Sequence, residues 1–259
     1  MATVPVTAID HALRHMPAEP DKQSPYFDDV LAQVKSVIFA GYHTTSQAIC
    51  WVLYEIFKHP DIVDKIRSEH NDVLGSDPSK SGELLSKQAH KLNELRYTTA
   101  VIKETLRLHA IAQTNRAGSP SFNFSVDGVV YETDDTIIQT VPDAAHSNPD
   151  YWPRATEFIP ERFLVTADDP LYPRKNAWRP FELGTTRCIG EELAMTEMKL
   201  VLVMTLRDFD FQFGTAPQDT KEIPHTPTNS VNGDHIYSVG EGLGCLKDNL
   251  PTRVRLRSS

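Results

Sequence analysis

The chain has 259 residues, 40% of them hydrophobic and 24% charged, with a formal net charge of −9 at pH 7. That is enough apolar material for one sizeable core or two small domains, and Lys and Arg scattered through an acidic chain argue against nucleic acid or an anionic membrane as the main partner. Three cysteines, Cys50, Cys188 and Cys245, are odd in number and far apart, so neither a disulfide framework nor a paired-ligand zinc site is suggested, and a reducing, intracellular setting is expected.

The N-terminus has no basic start followed by an apolar stretch, and no window approaches the roughly 18 uninterrupted apolar residues of a membrane span. No signal or anchor is therefore expected in the chain. Residues 1–25 are polar and broken by prolines in MPAEPDKQSP, which reads as a linker or frayed arm. The ordered body is expected over 26–259, as a helical part (26–110), a small sheet (120–141), a meander (142–190) and a helix followed by C-terminal strands (191–259).

From Phe27 to His59 a long helical pattern runs up to Pro60, which cannot continue it. Ile49, Cys50, Trp51, Val52, Leu53, Ile56 and Phe57 cannot share one face, so this part of the helix belongs inside a larger body. Pro60 and Asp61 open a second helix closed by Gly75. After a Ser/Gly/Lys-rich loop a third helix is expected from about Leu92 to His109.

FNFSV and TIIQTV, with Asp127-Gly128 as a turn signal, read as short strands. Residues 142–190 are rich in Pro, Trp and aromatics without periodicity, and so long a loop is usually functional or wrapped tightly on a core. Helix returns from Glu191 to Arg207, followed by the β-like runs FDFQF, HIYSV and RVRLR. The fold class is mainly α with small β-sheets, α+β.

The chemistry concentrates in the run FELGTTRCIG, Phe181 to Gly190, which leads into the last helix. Cys188 there stands just before a helix N-terminus, where free amides and the positive end of the dipole favour thiolate over thiol. Gly184 and Gly190 allow backbone to pass close to a flat bulky group. Taken alone, the loop reads first as a buried structural cysteine at a tight turn.

Other motifs accompany it in order. Ala40-Gly41-Tyr42-His43-Thr44-Thr45 lies within the long helix, where a glycine flanked by hydroxyls invites local distortion or serves as a packing notch. Glu104 and Arg107 lie three apart on one helix face and can pair. Pro160-Glu161-Arg162-Phe163 follows in the meander. The last helix presents Leu193, Ala194, Met198, Val201, Leu202 and Leu206, which reads more readily as core than as a cofactor box.

In this order and spacing the motifs resemble the cytochrome P450 family over nearly all the chain from Tyr26 onward, and the texture of WRPFELG and CIGEELAMTEMK resembles its fungal secondary-metabolite members. The resemblance implies the C-terminal portion of the P450 fold, from just before the distal haem helix onward. It implies haem b with Cys188 as the iron's thiolate ligand, Phe181, Gly184, Arg187, Gly190 and Arg116 around the cofactor, and Thr44 on the oxygen side. It further implies that Glu104, Arg107 and Arg162 form a buried structural triad.

The implied activity is oxidation of a small apolar molecule with electrons from NADPH through a separate reductase, at the endoplasmic reticulum membrane surface for a full-length member. The chain departs from the family in two places. His43 stands where an acid usually helps deliver protons, and a histidine can relay protons or break the relay. Thr186 stands where an arginine usually precedes the cysteine by two, the arginine here being Arg187. The family's N-terminal half is expected to be missing, which predicts an exposed apolar face that aggregates or takes a partner chain. The alternative to an enzyme is a truncated, non-catalytic remnant or protein-interaction module.

Overall fold

The computed structural model describes residues 8–15, 25–213, 236–239, 245–247 and 251–257. They fall into two compact units, Met1–Thr44 and Thr45–Ser259. The fold is mainly helical, with small antiparallel sheets.

In the first unit, helix α1 (Ala8–Arg14) occupies part of the stretch whose prolines suggest a frayed arm. Asp10 in its first turn and His11 and Arg14 in its last complement the helix dipole. The Tyr26 hydroxyl donates to the Ala12 carbonyl at 2.9 Å. Helix α2 (Pro25–Lys58) runs on from there without a break at Gly41. Val37, Ile38, Phe39 and Tyr42 are exposed, Tyr42 to 77%.

In the second unit, the end of α2 buries Trp51, Val52 and Ile56 to 2% exposure or less. Pro60 both ends that helix and starts α3 (Pro60–Leu74), and Gly75 closes it by donating to the Asn71 carbonyl. The Ser/Gly/Lys-rich stretch expected as a loop contains helix α4 (Ser81–Lys87). It starts from a 3-10 turn capped by the Asp77 carboxylate, and it buries Leu85 against Leu74, Leu92, Leu95 and Val203. Two adjacent leucines, Leu84 and Leu85, on a helix of seven residues leave no periodicity to read.

Helix α5 (Arg96–Leu108) begins later than the apolar pattern suggests, because Leu92 belongs to a separate 3-10 turn. Its start is set from α3: the Glu69 carboxylate accepts the amides of Tyr97 at 2.6 Å and Thr98 at 2.8 Å. These are two of the donors a helix start leaves unpaired.

Strand β1 (Asn115–Ala117) lies beyond α5, and β2 (Asn123–Val126) and β3 (Val129–Glu132) form the hairpin that Asp127-Gly128 signals. Both turn residues have positive φ, 50° and 80°, as a two-residue primed turn requires. Strand β4 (Ile137–Gln139) pairs with β1 rather than extending that hairpin.

The meander contains helix α6 (Pro142–His146) and a 3-10 turn at Pro160–Phe163. Helix α7 (Glu191–Leu206) packs Met198, Leu202 and Leu206 into a core shared with Ile62 and Ile66 of α3 and Val101, Ile102 and Leu106 of α5. Its C-terminal end is held by Arg67, which donates to the carbonyls of Leu206 and Phe209 and to the Asp210 carboxylate. Strand β5 (Phe209–Phe213) pairs with the last strand, and β6 (Ser238–Val239) pairs with β7 (Cys245–Leu246). Strand β8 (Thr252–Leu256) is that last strand; His235 of the expected HIYSV run lies outside the described residues. Among the described residues no helix is long and apolar enough to cross a membrane.

Candidate functional site

The site is built on a buried frame. Glu104 and Arg107 are three apart on α5, and their side chains have no solvent exposure. The Arg107 guanidinium donates from Nε and Nη2 to the two Glu104 oxygens at 2.8 and 2.9 Å. Its other N–H groups reach the meander carbonyls of His146, Ala155 and Glu157. Every donor of the fork is thereby used, which is the condition for burying a guanidinium.

Arg162, from the 3-10 turn, donates to Glu104 Oε1 at 3.0 Å and to the carbonyls of Pro153 and Arg154. The Ile159 amide donates to the same carboxylate oxygen. Both guanidinium groups also lie near the ring of buried Trp152, at 5.2 and 5.7 Å from its centroid, where the ring face attracts cations. One carboxylate, two guanidinium groups and five carbonyls therefore fasten the meander to α5. Trp152 was not singled out from the sequence; a tryptophan beside proline in an aperiodic loop is the signal that could have marked it.

An aromatic run leads from this frame toward the cysteine. Trp152, Phe163, Trp178 and Phe181 follow one another at centroid distances of 6.2, 6.2 and 6.0 Å. Trp178 Nε1 donates to the Lys103 carbonyl of α5 at 3.0 Å. The loop then turns through Gly184, whose φ of 74° favours glycine, and the Cys188 amide donates back to the Phe181 carbonyl at 2.8 Å. Glu182 also has a left-handed backbone, with φ 56°. Its carboxylate is gripped by the Thr140 hydroxyl and the Arg179 guanidinium, at 2.9 and 2.8 Å.

Cys188 is exposed, not the buried structural cysteine that its loop first suggests. Ile189 and Leu193 beside it are 96% and 63% exposed. Gly190 sits at the N-cap of α7, where an added Cβ would stand 3.7 Å from the Cys188 sulfur. The helix start is not purely positive, because Glu191 and Glu192 occupy its first turn and oppose the dipole there. A soft sulfur donor on a pinned loop, flanked by uncovered apolar side chains, fits an iron carried in a flat apolar macrocycle.

Arg187, Arg116 and Thr44 each have a partner close by in the chain. Arg187 pairs with Glu191 at 2.6 Å instead of standing free. Arg116 lies on β1, exposed, and donates to its neighbour's carbonyl at Asn115. Thr44 and His43 belong to the first unit, where the Thr44 hydroxyl donates to the Ala40 carbonyl one turn back at 2.5 Å.

The model of the cytochrome P450 family matches residues 2–235 of this chain. The chain is 38% identical to the cytochrome P450 monooxygenase polC of Polytolypa hystricis over 239 residues, which is 92% of this chain and 43% of that protein. It is 36% identical to the cytochrome P450 monooxygenase PC-23 of Penicillium crustosum over 206 residues, 78% of this chain and 97% of that protein. Human cytochrome P450 4Z1 is 33% identical over 216 residues, 81% of this chain and 39% of that protein. The chain thus spans about two fifths of polC and of the human protein, and its ordered motifs and these likenesses agree that it belongs to the cytochrome P450 family.

Proposed function

We propose that this chain binds haem through the Cys188 thiolate and serves a monooxygenase reaction on a small apolar molecule in fungal secondary metabolism. The observation that carries the reading is the Cys188 loop: its amide is tied to the Phe181 carbonyl while the cysteine stays exposed, with exposed Ile189 next to it in the chain. When bound, haem would supply oxygen activation, with electron density pushed from the thiolate ligand and electrons delivered from NADPH by a separate reductase.

The chain's own residues have narrower tasks. Cys188 would hold the metal, and Phe181, Gly184 and Gly190 would shape the loop around the macrocycle. Arg116 offers an exposed cation to a cofactor carboxylate. Arg187 would have to leave Glu191 to do the same. The Thr44 hydroxyl, donating to Ala40, keeps lone pairs with which to accept a hydrogen bond, and the adjacent His43 would be the residue that relays a proton. In a full-length relative this work belongs at the surface of the endoplasmic reticulum.

The test is spectroscopic. The purified chain titrated with haem, reduced and exposed to carbon monoxide should give the red-shifted band of thiolate-ligated iron, and Cys188→Ala should abolish it. A band typical of histidine ligation, or one unchanged in Cys188→Ala, overturns the reading. If haem binds, His43→Asp should raise the fraction of oxygen used that ends in product, provided the histidine impairs proton delivery.

A second reading, a non-catalytic interaction module, is favoured by the exposed Val37, Ile38, Phe39 and Tyr42 of α2. It predicts no thiolate band together with specific co-purification of one partner chain, and loss of that partner in Phe39→Ser.

A further inference from the structure

His146 lies at the end of α6, is 1% exposed, and touches both parts of the site. Its carbonyl receives Arg107 Nη1 at 2.8 Å, which joins it to the frame. Its ring nitrogen Nε2 is 3.0 Å from the backbone nitrogen of Arg179. An amide N–H can only donate, so Nε2 is the acceptor and the ring proton sits on Nδ1. Two residues on, the Phe181 carbonyl receives the Cys188 amide.

We propose that His146 is a positioning residue for the cysteine loop: its neutral imidazole holds the Arg179 amide, and through Phe181 it sets where the Cys188 backbone lies. The segment it holds needs fixing from outside, because Glu182 within it has a left-handed backbone, φ 56°, that a non-glycine residue adopts at a cost. The Thr140 hydroxyl and the Arg179 guanidinium grip the Glu182 side chain. His146 holds the Arg179 amide. The role deepens the assignment of Cys188 as the iron ligand and rests on it for its purpose, but not for its geometry.

The arrangement makes the loop sensitive to acid. A protonated imidazole has no lone pair at Nε2 and must release the Arg179 amide. Burial first, and then the Arg107 guanidinium, push the His146 pKa down to about 4. The groups that face it are Arg107 from α5 and Arg179 and Glu182 from the loop, with the Trp152 ring nearly perpendicular and its centroid 6.1 Å away. The grip therefore persists above about pH 4 and is lost below it.

Hydrogen exchange on the haem-free full chain, normalised for the intrinsic pH dependence of amide exchange, tests this. His146→Leu should exchange the Arg179 and Cys188 amides roughly tenfold faster than wild type, as loss of one buried hydrogen bond implies, while the amides of α5 keep their protection. His146→Gln, which offers an uncharged acceptor in the same place, should restore both amides and keep them protected below pH 4, where wild type opens. Equal exchange at Arg179 and Cys188 in wild type and His146→Leu overturns the proposal. So does acid opening that is identical in wild type and His146→Gln, which remains decisive if His146→Leu fails to fold. Because no haem is present, failure here is separate from failure of Cys188 to bind iron.

Discussion

The Glu104–Arg107–Arg162 frame and the Cys188 loop lie in the same unit but follow opposite rules. In the frame every charged side chain is buried, and every Arg107 donor has an acceptor supplied by the chain itself. In the loop the main chain is pinned at Phe181 and the Glu182 side chain is gripped by Thr140, yet Cys188, Ile189 and Leu193 are exposed. Stability is concentrated in the frame and chemistry in the loop, so substitutions in the two places should have separable effects.

The largest expected effect is in the frame. Glu104→Gln leaves two buried guanidinium groups without their counter-charge and should cost about 3–5 kcal/mol in urea unfolding. By contrast Cys188→Ala should leave the urea midpoint unchanged within error while removing the thiolate-iron band. A midpoint that falls as far in Cys188→Ala as in Glu104→Gln would dissolve the distinction.

Acid provides the next test. His70 is fully buried between α3 and α5, donating from Nε2 to the Thr98 hydroxyl, which in turn donates to Glu69. Burial, followed by Arg207, pushes its pKa down from 6.5 to about 4. The unfolded chain therefore binds the proton more readily, and stability is fully present above pH 6.5 and is lost as pH falls toward 4. The loss from this residue amounts to about 3 kcal/mol, and His70→Gln should flatten that part of the stability profile. A profile as steep in the variant as in wild type would show that His70 is not the residue responsible.

The smallest expected effect is at the rim of the loop. Arg187 and Glu191 form an exposed pair, and such pairs contribute little. Arg187→Gln should leave the urea midpoint where it is. Its effect, if Arg187 meets the cofactor, belongs in the haem titration as weaker binding.

Much of the frame's local geometry is legible in the sequence. The punctuation by Pro60 and Gly75 marks α3, the apolar spacing marks α7, and the i to i+3 spacing puts Glu104 and Arg107 within reach of each other. Arg162 is another matter, since it lies 58 residues from Glu104 along the chain and only the family resemblance links them. The start of α5 is hidden because its cap, Glu69, is a side chain of another helix. His146 and Trp152 sit in an aperiodic loop, where a buried residue leaves no pattern. Glu182 is invisible for a different reason: its side chain is held by Thr140, which lies just past β4 and 42 positions away. Helix α1 and strand β1 are too short for periodicity to declare them.

The separation between Glu104 and Arg162 also bears on the order in which the chain folds. The β2–β3 hairpin closes around a two-residue turn, and α5 needs only local bonds, so both can form quickly. Joining Glu104 to Arg162 closes a loop of 58 residues, whose entropic cost is met only when the meander docks. Folding of this unit should therefore be timed by that long closure, with the cysteine loop settling after it because one of its anchors, the His146 ring that holds Arg179, is itself placed when the meander docks.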